Sequence, residues 1–238
     1  MKRNDMRRNR SVVALSGGAD SATLLYLAAT ECIDLHALSI DYGQRHIKEL
    51  ECAKILCDGI KVPHTIIKFD LTVFGGSPLT DKSLNVPAQS ENKQSSTVVP
   101  YRNTILATLC AAYCKQYNLN TIYMGPTHED LANYEDCRRV FYDSLQQTLR
   151  LGGTVHDLVI KVPFIDTEKK DIVHLGYTKL SVPYEKTWTC YEGGDKPCLV
   201  CDACRERITS FVLNGLQDPL VPDYDTWKRL EESIIYKD

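Results

Sequence analysis

The sequence predicts a doubly wound α/β fold, in which helices cover both faces of a parallel sheet, with a cysteine-rich segment near the C-terminus. Three observations support this prediction. Short apolar runs alternate with amphipathic stretches along most of the chain, as strands and helices do around a parallel sheet. The first apolar run ends in a glycine-containing turn at residues 16–21. Four cysteines lie within fifteen residues, at Cys190, Cys198, Cys201 and Cys204.

The first half of the predicted sheet follows from two βα units and a further strand. A strand at Val12–Leu15 leads through the turn into a helix that continues to about Ala29. A second strand at Leu35–Asp41 precedes a helix at Ile47–Cys57. A third strand is predicted at His64–Phe69, where β-branched and aromatic residues are frequent.

The second half is predicted to begin after a long loop. Residues 70–99 are rich in Ser, Asn and Gln and contain two adjacent glycines, which indicates either a lid or a disordered segment. Beyond it we expect a helix at Asn103–Tyr117, a strand at Thr121–Gly125 and a helix at Cys137–Leu151. A helix at Thr167–Leu175 is predicted because Thr and acidic residues favour helix starts.

Composition disfavours several classes of protein. The 28 Lys and Arg against 31 Asp and Glu give a net charge of -3, which provides no field for holding nucleic acid stably. No apolar run approaches the roughly 18 residues that a membrane span requires. Ten cysteines without an export signal argue against disulfides, because the cytoplasm keeps thiols reduced. We therefore expect a soluble cytoplasmic protein with a small-molecule partner.

The turn at residues 16–21 reads Ser-Gly-Gly-Ala-Asp-Ser and lies where the first strand passes into the first helix. Gly17 and Gly18 allow a tight turn with exposed N–H groups, and a helix N-terminus attracts phosphate. The hydroxyls of Ser16 and Ser21 can add hydrogen bonds. The alternative is a simple helix cap. The glycine spacing differs from the dinucleotide-binding and Walker patterns.

This string resembles the signature of the ATP pyrophosphatases of the PP-loop type. The resemblance implies a loop that holds the β- and γ-phosphates of ATP while the α-phosphorus is attacked, so that AMP and pyrophosphate leave. It also implies that Asp20 lies near the Mg²⁺ that screens the triphosphate charge.

The four-cysteine cluster has the spacing C-x7-C-x2-C-x2-C. Four thiolates suit tetrahedral zinc, and a closed shell of four protein ligands leaves no position for substrate, so we assign a structural role. An iron–sulfur cluster and a metal-free group of buried thiols are the alternatives. Arg205 and Arg207 could offset the negative charge of the thiolates.

The other six cysteines do not share this spacing. Five of them fall in apolar helical patterns and are expected to pack as small hydrophobic residues, namely Cys32, Cys52, Cys57, Cys110 and Cys114. Cys137 lies in a polar segment, where a buried thiol is expected more than a reactive one.

Four strings together resemble one enzyme family. They are residues 16–21, Asp-Tyr-Gly-Gln-Arg-His at 41–46, Asp-Cys-Arg at 136–138, and the segment 187–204. In this order they are similar to the 7-cyano-7-deazaguanine synthase family, from about residue 12 to about residue 220. The resemblance implies a Rossmann-like sheet of the adenine nucleotide alpha hydrolase type.

The resemblance also implies a reaction. The family converts 7-carboxy-7-deazaguanine, ammonia and ATP into the 7-cyano compound, a precursor of queuosine-type bases in tRNA, and so acts as a C–N ligase. The carboxylate is adenylated and captured by ammonia as an amide; the amide oxygen is then activated and eliminated to leave the nitrile. The loop points to AMP and pyrophosphate as products, whereas the family's net reaction is often written with ADP and phosphate. A homodimer is the expected assembly.

Five residues outside the loop receive roles from the resemblance. Arg102 and Lys169 are expected to neutralise phosphate charge, with surface charge as the alternative. Asp136 is expected to accept hydrogen bonds from the N1–H and exocyclic amine of the guanine-like ring. Gln44 and Arg45 follow the second strand, at the edge where ligands bind in open α/β sheets. They are expected to contact the substrate carboxylate or ATP, or only to hold the loop.

Two departures from the family pattern leave other functions open. Tyr101 stands where the family commonly has Gly, and residues 125–131 differ from the usual small and polar residues. Homologues from antiviral defence loci look like the synthase but join a deazaguanine to another acceptor, including a protein N-terminus. A PP-loop enzyme that thiolates tRNA is a further alternative, although the nearly neutral charge weighs against it.

We divide the chain into four parts. Residues 11–180 are the predicted nucleotide-binding α/β domain, and residues 181–220 are a zinc-binding segment packed on it. The basic residues 1–10 are expected to be a solvated tail. Residues 221–238 extend past the usual end of the family and are expected to form either a surface helix or a helix that packs on a partner.

Overall fold

The computed structural model describes residues 9–44, 47–81, 83–84, 98–132 and 134–236. A parallel sheet lies at its centre. Its strands are β1 (Arg10–Ala14), β2 (Asp34–Asp41), β3 (His64–Lys68), β4 (Thr121–Tyr123) and β5 (Val159–Lys161). The helices are α1 (Ala19–Glu31), α2 (Lys48–Ile60), α3 (Arg102–Tyr117), α4 (Arg139–Gly152), α5 (Lys169–Leu175), α6 (Asp202–Leu213) and α7 (Tyr224–Ile235).

The strand order is β3-β2-β1-β4-β5, and all four pairings are parallel. In the register of the sheet, Val13 pairs with Ala37 on one side and with Tyr123 on the other. The chain therefore winds first to one side of β1 and then to the other. A crevice forms at such a switch point, outside the carboxyl ends of the strands.

Helices cover both faces of the sheet because its central strands are apolar on both faces. Val13 packs into a core with α1, α2, α5 and α6, whereas its neighbour Val12 packs into a second core with α3 and α4. Successive residues of a strand point to opposite faces, so two buried valines in a row require two covering layers. The predicted doubly wound α/β fold is confirmed.

The predicted elements are confirmed with small errors at their ends. Helix α4 begins at Arg139 rather than Cys137, because residues 135–137 form a separate 3-10 turn. Helix α5 begins at Lys169, two residues after the expected Thr167. Strand β5 and helix α6 were not predicted.

The C-terminal extension contains α7, and this helix packs on the core of its own chain. Trp227 is only 3% exposed and belongs to the same apolar cluster as Ile208 and Phe211 of α6. The helix is capped by Asp223, whose carboxylate accepts a hydrogen bond from the Thr226 N–H at 2.8 Å. The extension thus forms a helix, as predicted, whose inner face packs on the core of its own chain, and packing on a partner stays a prediction.

The long loop after β3 is fixed near its two ends. Leu71, Leu79 and Val99 are buried together and contact Tyr42 and Tyr191. Residues 85–97 lie outside the described part of the chain, and with them the choice between a lid and disorder. Among the described helices, none combines the length and the hydropathy needed to cross a membrane.

Candidate active site

A cleft of about 330 Å³ opens at the carboxyl ends of β1, β2 and β4. Its volume lies in the usual range for a small-molecule site. The walls come from residues 16–21, here called the phosphate loop after their predicted role, and from the turns that follow β2 and β4. The first turns of α2, α3, α5 and α6 and the cysteine-rich segment complete them. One end of the cleft contains acids and a lysine, and the other contains an arginine and aromatic rings.

The loop at residues 16–21 forms the floor of the cleft and is held in shape by its serines. The Ser16 and Ser21 hydroxyls lie 2.9 Å apart, and Ser21 Oγ also accepts a hydrogen bond from the Gly17 N–H at 3.2 Å. Helix α1 begins at Ala19, within this loop, with Gly18 as its N-cap residue, and no side chain caps it. The amides of its first turn are thus suited to an anion.

Gly17 determines how closely helix α2 approaches this loop. Its φ is +94°, and a Cβ at this position would lie 2.1 Å from the backbone oxygen of Glu49. Only glycine fits both the left-handed conformation and the close approach. The first turn of α2 is therefore fixed beside the phosphate loop.

At the phosphate end of the cleft, Lys169 lies among carboxylates. Its Nζ donates to Glu206 Oε2 at 2.5 Å and lies 3.9 Å from Asp20 Oδ2. Burial alone would lower the pKa of Lys169, but Asp20 and Glu206 outweigh it and hold this pKa well above the ordinary value. Burial raises the pKa of Asp20 to about 6, although Lys169 opposes the rise. The ammonium is thus charged beside the loop.

Two acids at this end were missed by the sequence analysis. Asp130 accepts hydrogen bonds from the N–H and the hydroxyl of Thr127, at 2.8 and 2.9 Å. Glu129 Oε1 accepts from the Lys169 N–H at 2.9 Å, while its Oε2 is buried without a hydrogen-bond partner in the described residues. Carboxylate oxygens of this kind suit Mg²⁺. The residues at this end therefore fit a divalent cation bound with a triphosphate.

The opposite end of the cleft combines a cation with aromatic rings. Arg102 begins α3 and lines the cleft together with Tyr42, Tyr134 and Tyr191. Burial would lower the pKa of Arg102, but these tyrosines raise it above its ordinary value. Burial also raises the pKa of Glu49 to about 8, against the opposing effect of Arg102. An acid and a cation thus face the same apolar, aromatic end.

The four cysteines of the cluster come together in space. Their sulfur atoms all lie within 4.8 Å of one another, and Cys198 Sγ is 3.9 Å from Cys204 Sγ. Metal–sulfur bonds of about 2.3 Å in a tetrahedron separate the sulfurs by roughly 3.8 Å. Backbone N–H groups of Glu192 and Cys198 point at Cys190 Sγ, each at 3.3 Å. These residues could hold a metal ion.

The cysteine-rich segment is joined to the phosphate loop. The backbone N–H of Trp188 donates to the Gly17 carbonyl at 2.9 Å, and the Trp188 side chain is buried. The ammonium of Lys48, at the start of α2, lies 3.7 Å from the centre of this ring. Order in the segment therefore supports the position of the loop.

Comparison with known proteins decides the family. A model described as "Queuosine biosynthesis protein QueC" matches residues 10–215, which is most of the chain. The chain belongs to the QueC family.

Several relatives are named 7-cyano-7-deazaguanine synthase. A 7-cyano-7-deazaguanine synthase of Trichodesmium erythraeum is 40% identical over 222 residues, covering 89% of this chain and 100% of the relative. Those of Archaeoglobus fulgidus and Thermoplasma acidophilum are 39% and 38% identical; the first alignment covers 92% of each chain, and the second covers 98% of this chain and 99% of the relative.

Two solved structures are distant likenesses. An NMN synthetase from Francisella tularensis has a TM-score of 0.46 at 16% identity, covering 96% of this chain and 84% of the other. An NH3-dependent NAD synthetase from Campylobacter jejuni has a TM-score of 0.43 at 19% identity, covering 98% of this chain and 86% of the other.

The residues predicted from the QueC resemblance are placed as follows. Gln44 lines the cleft, and its Oε1 accepts a hydrogen bond from the Tyr42 N–H at 2.9 Å, so its amide also holds the turn. Arg45 lies outside the described residues. Asp136 is not among the described residues that line the cleft; its Oδ2 accepts from the Asn103 N–H at 3.2 Å, at the start of α3. Asp136 thus holds a helix that carries a cleft residue.

Two further expectations are revised. Arg207 does not offset the thiolates, because its guanidinium forms a buried pair with Asp218, Nε to Oδ2 at 2.7 Å and Nη2 to Oδ1 at 2.9 Å. Tyr101 has a φ of +55° and a side chain that is 78% exposed. Its ring points to solvent and does not obstruct the cleft.

The single cysteines are placed close to expectation. Cys52, Cys57, Cys110 and Cys114 are buried, and Cys32 is partly buried. Cys137 is buried at the cleft wall, and burial raises the pKa of its thiol to about 12, with further contributions from Asp130 and Asp136. The thiol is therefore protonated and a weak nucleophile at neutral pH.

Proposed function

We propose that this protein converts 7-carboxy-7-deazaguanine, ammonia and ATP into 7-cyano-7-deazaguanine. The observation that carries the proposal is the QueC match over residues 10–215, together with relatives of about 40% identity that bear the synthase name. The relatives' shared name supports the synthase over an enzyme that passes a deazaguanine to another acceptor. The cleft adds physical support, since it places an anion-binding loop beside a charged lysine.

The phosphate end performs the activation in this proposal. The amides at residues 16–21 and the ammonium of Lys169 hold the triphosphate, so that the substrate carboxylate attacks the α-phosphorus and pyrophosphate leaves. Mg²⁺, when bound, would screen the triphosphate charge, and Asp20 and Glu129 offer oxygen ligands for it. Glu206 keeps Lys169 in position through their ion pair.

Ammonia then displaces AMP from the acyl adenylate and forms the amide. A second ATP then transfers AMP to the amide oxygen and releases pyrophosphate, and loss of AMP and a proton leaves the nitrile. Arg102 lines the cleft, and we assign it the neutralisation of negative charge on the reacting groups. Cys137 takes no part as a nucleophile, because its thiol is protonated at neutral pH.

We propose a structural zinc at the four cysteines. Four thiolates with converging N–H groups form a closed set of ligands, which leaves no open position for substrate. A homodimer and a cytoplasmic location remain predictions from the family resemblance.

The activation step is tested by ATP turnover that depends on the deazaguanine substrate. Lys169→Met should lower this turnover by at least roughly 100-fold, because a charge that stabilises phosphoryl transfer is lost. Lys170→Met is the matched control, since Lys170 is adjacent, 42% exposed in its side chain and paired with Glu168 at the surface. Equal turnover in the two variants would contradict the role of Lys169.

A further inference from the structure

A hydroxyl from the cysteine-rich segment lies beside the phosphate loop. Thr189 lines the cleft, and a Cβ added at Gly18 would lie 3.9 Å from Thr189 Oγ1. The same Cβ position is 3.5 Å from Ser16 Oγ, so two hydroxyls lie close to the N-cap residue of α1. A hydroxyl at this place can add a hydrogen bond to an anion that the first amides of the helix hold.

The backbone on both sides of Thr189 is anchored. The N–H of Trp188 donates to the Gly17 carbonyl, and the indole Nε1 of Trp188 donates to the Cys190 carbonyl at 3.0 Å. Cys190 belongs to the four-cysteine cluster. Thr189 is therefore held against the phosphate loop by bonds that its own side chain does not make.

The side chain of Thr189 is oriented by the buried guanidinium of Arg207. All five N–H groups of this guanidinium have an acceptor, namely both carboxylate oxygens of Asp218, the Tyr184 carbonyl and the hydroxyls of Thr187 and Thr189. Thr189 Oγ1 accepts from Arg207 Nη1 at 3.3 Å. Because a guanidinium has no acceptor, the hydrogen of the Thr189 hydroxyl cannot be donated to Arg207.

The two threonines bonded to Arg207 differ in their own donors. Thr187 is fully buried, and its hydroxyl donates to the Tyr184 carbonyl at 2.7 Å. Thr189 is partly exposed, and no described residue accepts from its hydroxyl. A hydroxyl that accepts a hydrogen bond from a cation is itself a stronger donor. The open donor of the pair thus belongs to the threonine that lines the cleft.

We propose that Thr189 is a further phosphate-binding residue, whose hydroxyl donates a hydrogen bond to an oxygen of the pyrophosphate part of ATP. The proposal rests on the proposed function and adds a binding group to the same site. Arg207 is a positioning residue that acts through Thr189, because it is not among the described residues that line the cleft. The cysteine-rich segment then contributes a phosphate contact of its own.

The test is equilibrium binding of inorganic pyrophosphate in the presence of Mg²⁺, measured by calorimetry on the full chain. Thr189→Val keeps the shape of the side chain and removes the hydroxyl. It should bind pyrophosphate at least roughly 10-fold more weakly than the wild type, because a hydrogen bond to a charged group is lost. Thr189→Ser is the matched control, since it keeps the hydroxyl, and its affinity should stay within about 3-fold of the wild type.

Thr187→Val separates binding from folding, because Thr187 bonds to the same guanidinium but is not among the described residues that line the cleft. It should lower the free energy of unfolding in urea more than Thr189→Val does, and it should keep the pyrophosphate affinity of the folded protein within about 3-fold. If Thr189→Val does not fold, Thr189→Ala takes its place, since water can then accept from Arg207 at this partly exposed position.

Several outcomes would overturn the assignment. They are wild-type affinity for pyrophosphate in Thr189→Val or Thr189→Ala, an equal loss of affinity in Thr189→Ser, and an equal loss in Thr187→Val. Lack of pyrophosphate binding by the wild-type protein would overturn it as well.

Failure of this assignment differs from failure of the proposed function. If the wild-type protein forms the nitrile and Thr189→Val binds pyrophosphate as tightly as the wild type, only the role of Thr189 is wrong. If the wild-type protein binds neither pyrophosphate nor ATP and forms no nitrile, the function itself is wrong.

Discussion

At the scale of single residues, Asp20 shows a conflict between the proposed nucleotide binding and stability. Its carboxylate is largely buried among other acids, and the ammonium of Lys169 lies 3.9 Å from it. An ionised group in such surroundings is costly in the free protein and becomes favourable when a cation binds with the nucleotide. Function and stability thus conflict at this position.

The conflict predicts a pH-dependent gain in stability for Asp20→Asn. Burial raises the pKa of Asp20 from 3.8 to about 6, so its contribution to stability is present at low pH and is lost as pH rises through 6. Without nucleotide or Mg²⁺, the variant should exceed the wild type by roughly 1–3 kcal/mol at pH 8 and by much less at pH 4.5. Urea unfolding at both values checks this. The same difference at both would contradict it.

The backbone of Tyr101 is strained. Tyr101 occupies the left-handed region with φ +55°, where a side chain costs roughly 1–2 kcal/mol. Because the ring is exposed, little packing is lost on its removal. Tyr101→Gly should therefore raise the free energy of unfolding by about 1 kcal/mol, whereas Tyr101→Ala should not. Destabilisation by Tyr101→Gly in urea titrations would contradict this explanation.

At the scale of secondary-structure elements, the sequence predicted the fold because short apolar runs alternate with amphipathic stretches. These patterns depend on burial, so they identified β1 to β4 and the helices α1 to α5, but not β5 or α6. The ends of elements were less predictable. The 3-10 turn at residues 135–137 lies directly before α4, and the sequence pattern did not separate the two. Helix α7 was predicted as a helix, but its packing on α6 was not, since only the fold shows that the two helices are in contact.

Packing of α7 on the core predicts a large effect for its tryptophan. Trp227→Ala should lower the free energy of unfolding by about 3–5 kcal/mol, because the side chain is buried against α6. Tyr224→Ala is the control on the same helix, since Tyr224 is 62% exposed and should cost under about 1 kcal/mol. Similar losses for the two variants, measured by chemical denaturation, would refute this packing.

At the scale of the whole molecule, the sequence predicted the phosphate loop and the cysteine cluster because each is one continuous string. The acids that line the cleft come from separate elements, and their meeting depends on the fold. Glu49 lies in the first turn of α2, and Glu129 lies in the turn after β4. Asp136 belongs to a string shared with the family, yet the fold places its carboxylate at the start of α3.

The cysteine-rich segment contacts the phosphate loop through Trp188, so loss of the cluster should be felt in both. Cys201→Ser should release the proposed zinc and unfold this segment together with the phosphate loop. Elemental analysis and circular dichroism check this. Cys32→Ser, outside the cluster, should keep one zinc per chain. A soluble, active, metal-free Cys201→Ser protein would contradict the structural role, and iron in place of zinc would contradict the metal.

The central claim is tested most directly by the fate of labelled ammonia. Purified protein is incubated with ATP, Mg²⁺, 7-carboxy-7-deazaguanine and ¹⁵N-ammonium, and the deazaguanine products are followed by mass spectrometry. The account predicts 7-cyano-7-deazaguanine with ¹⁵N in the nitrile, preceded by the labelled amide. An adenylate that accumulates without amide or nitrile, or a deazaguanine joined to another acceptor, would contradict the account.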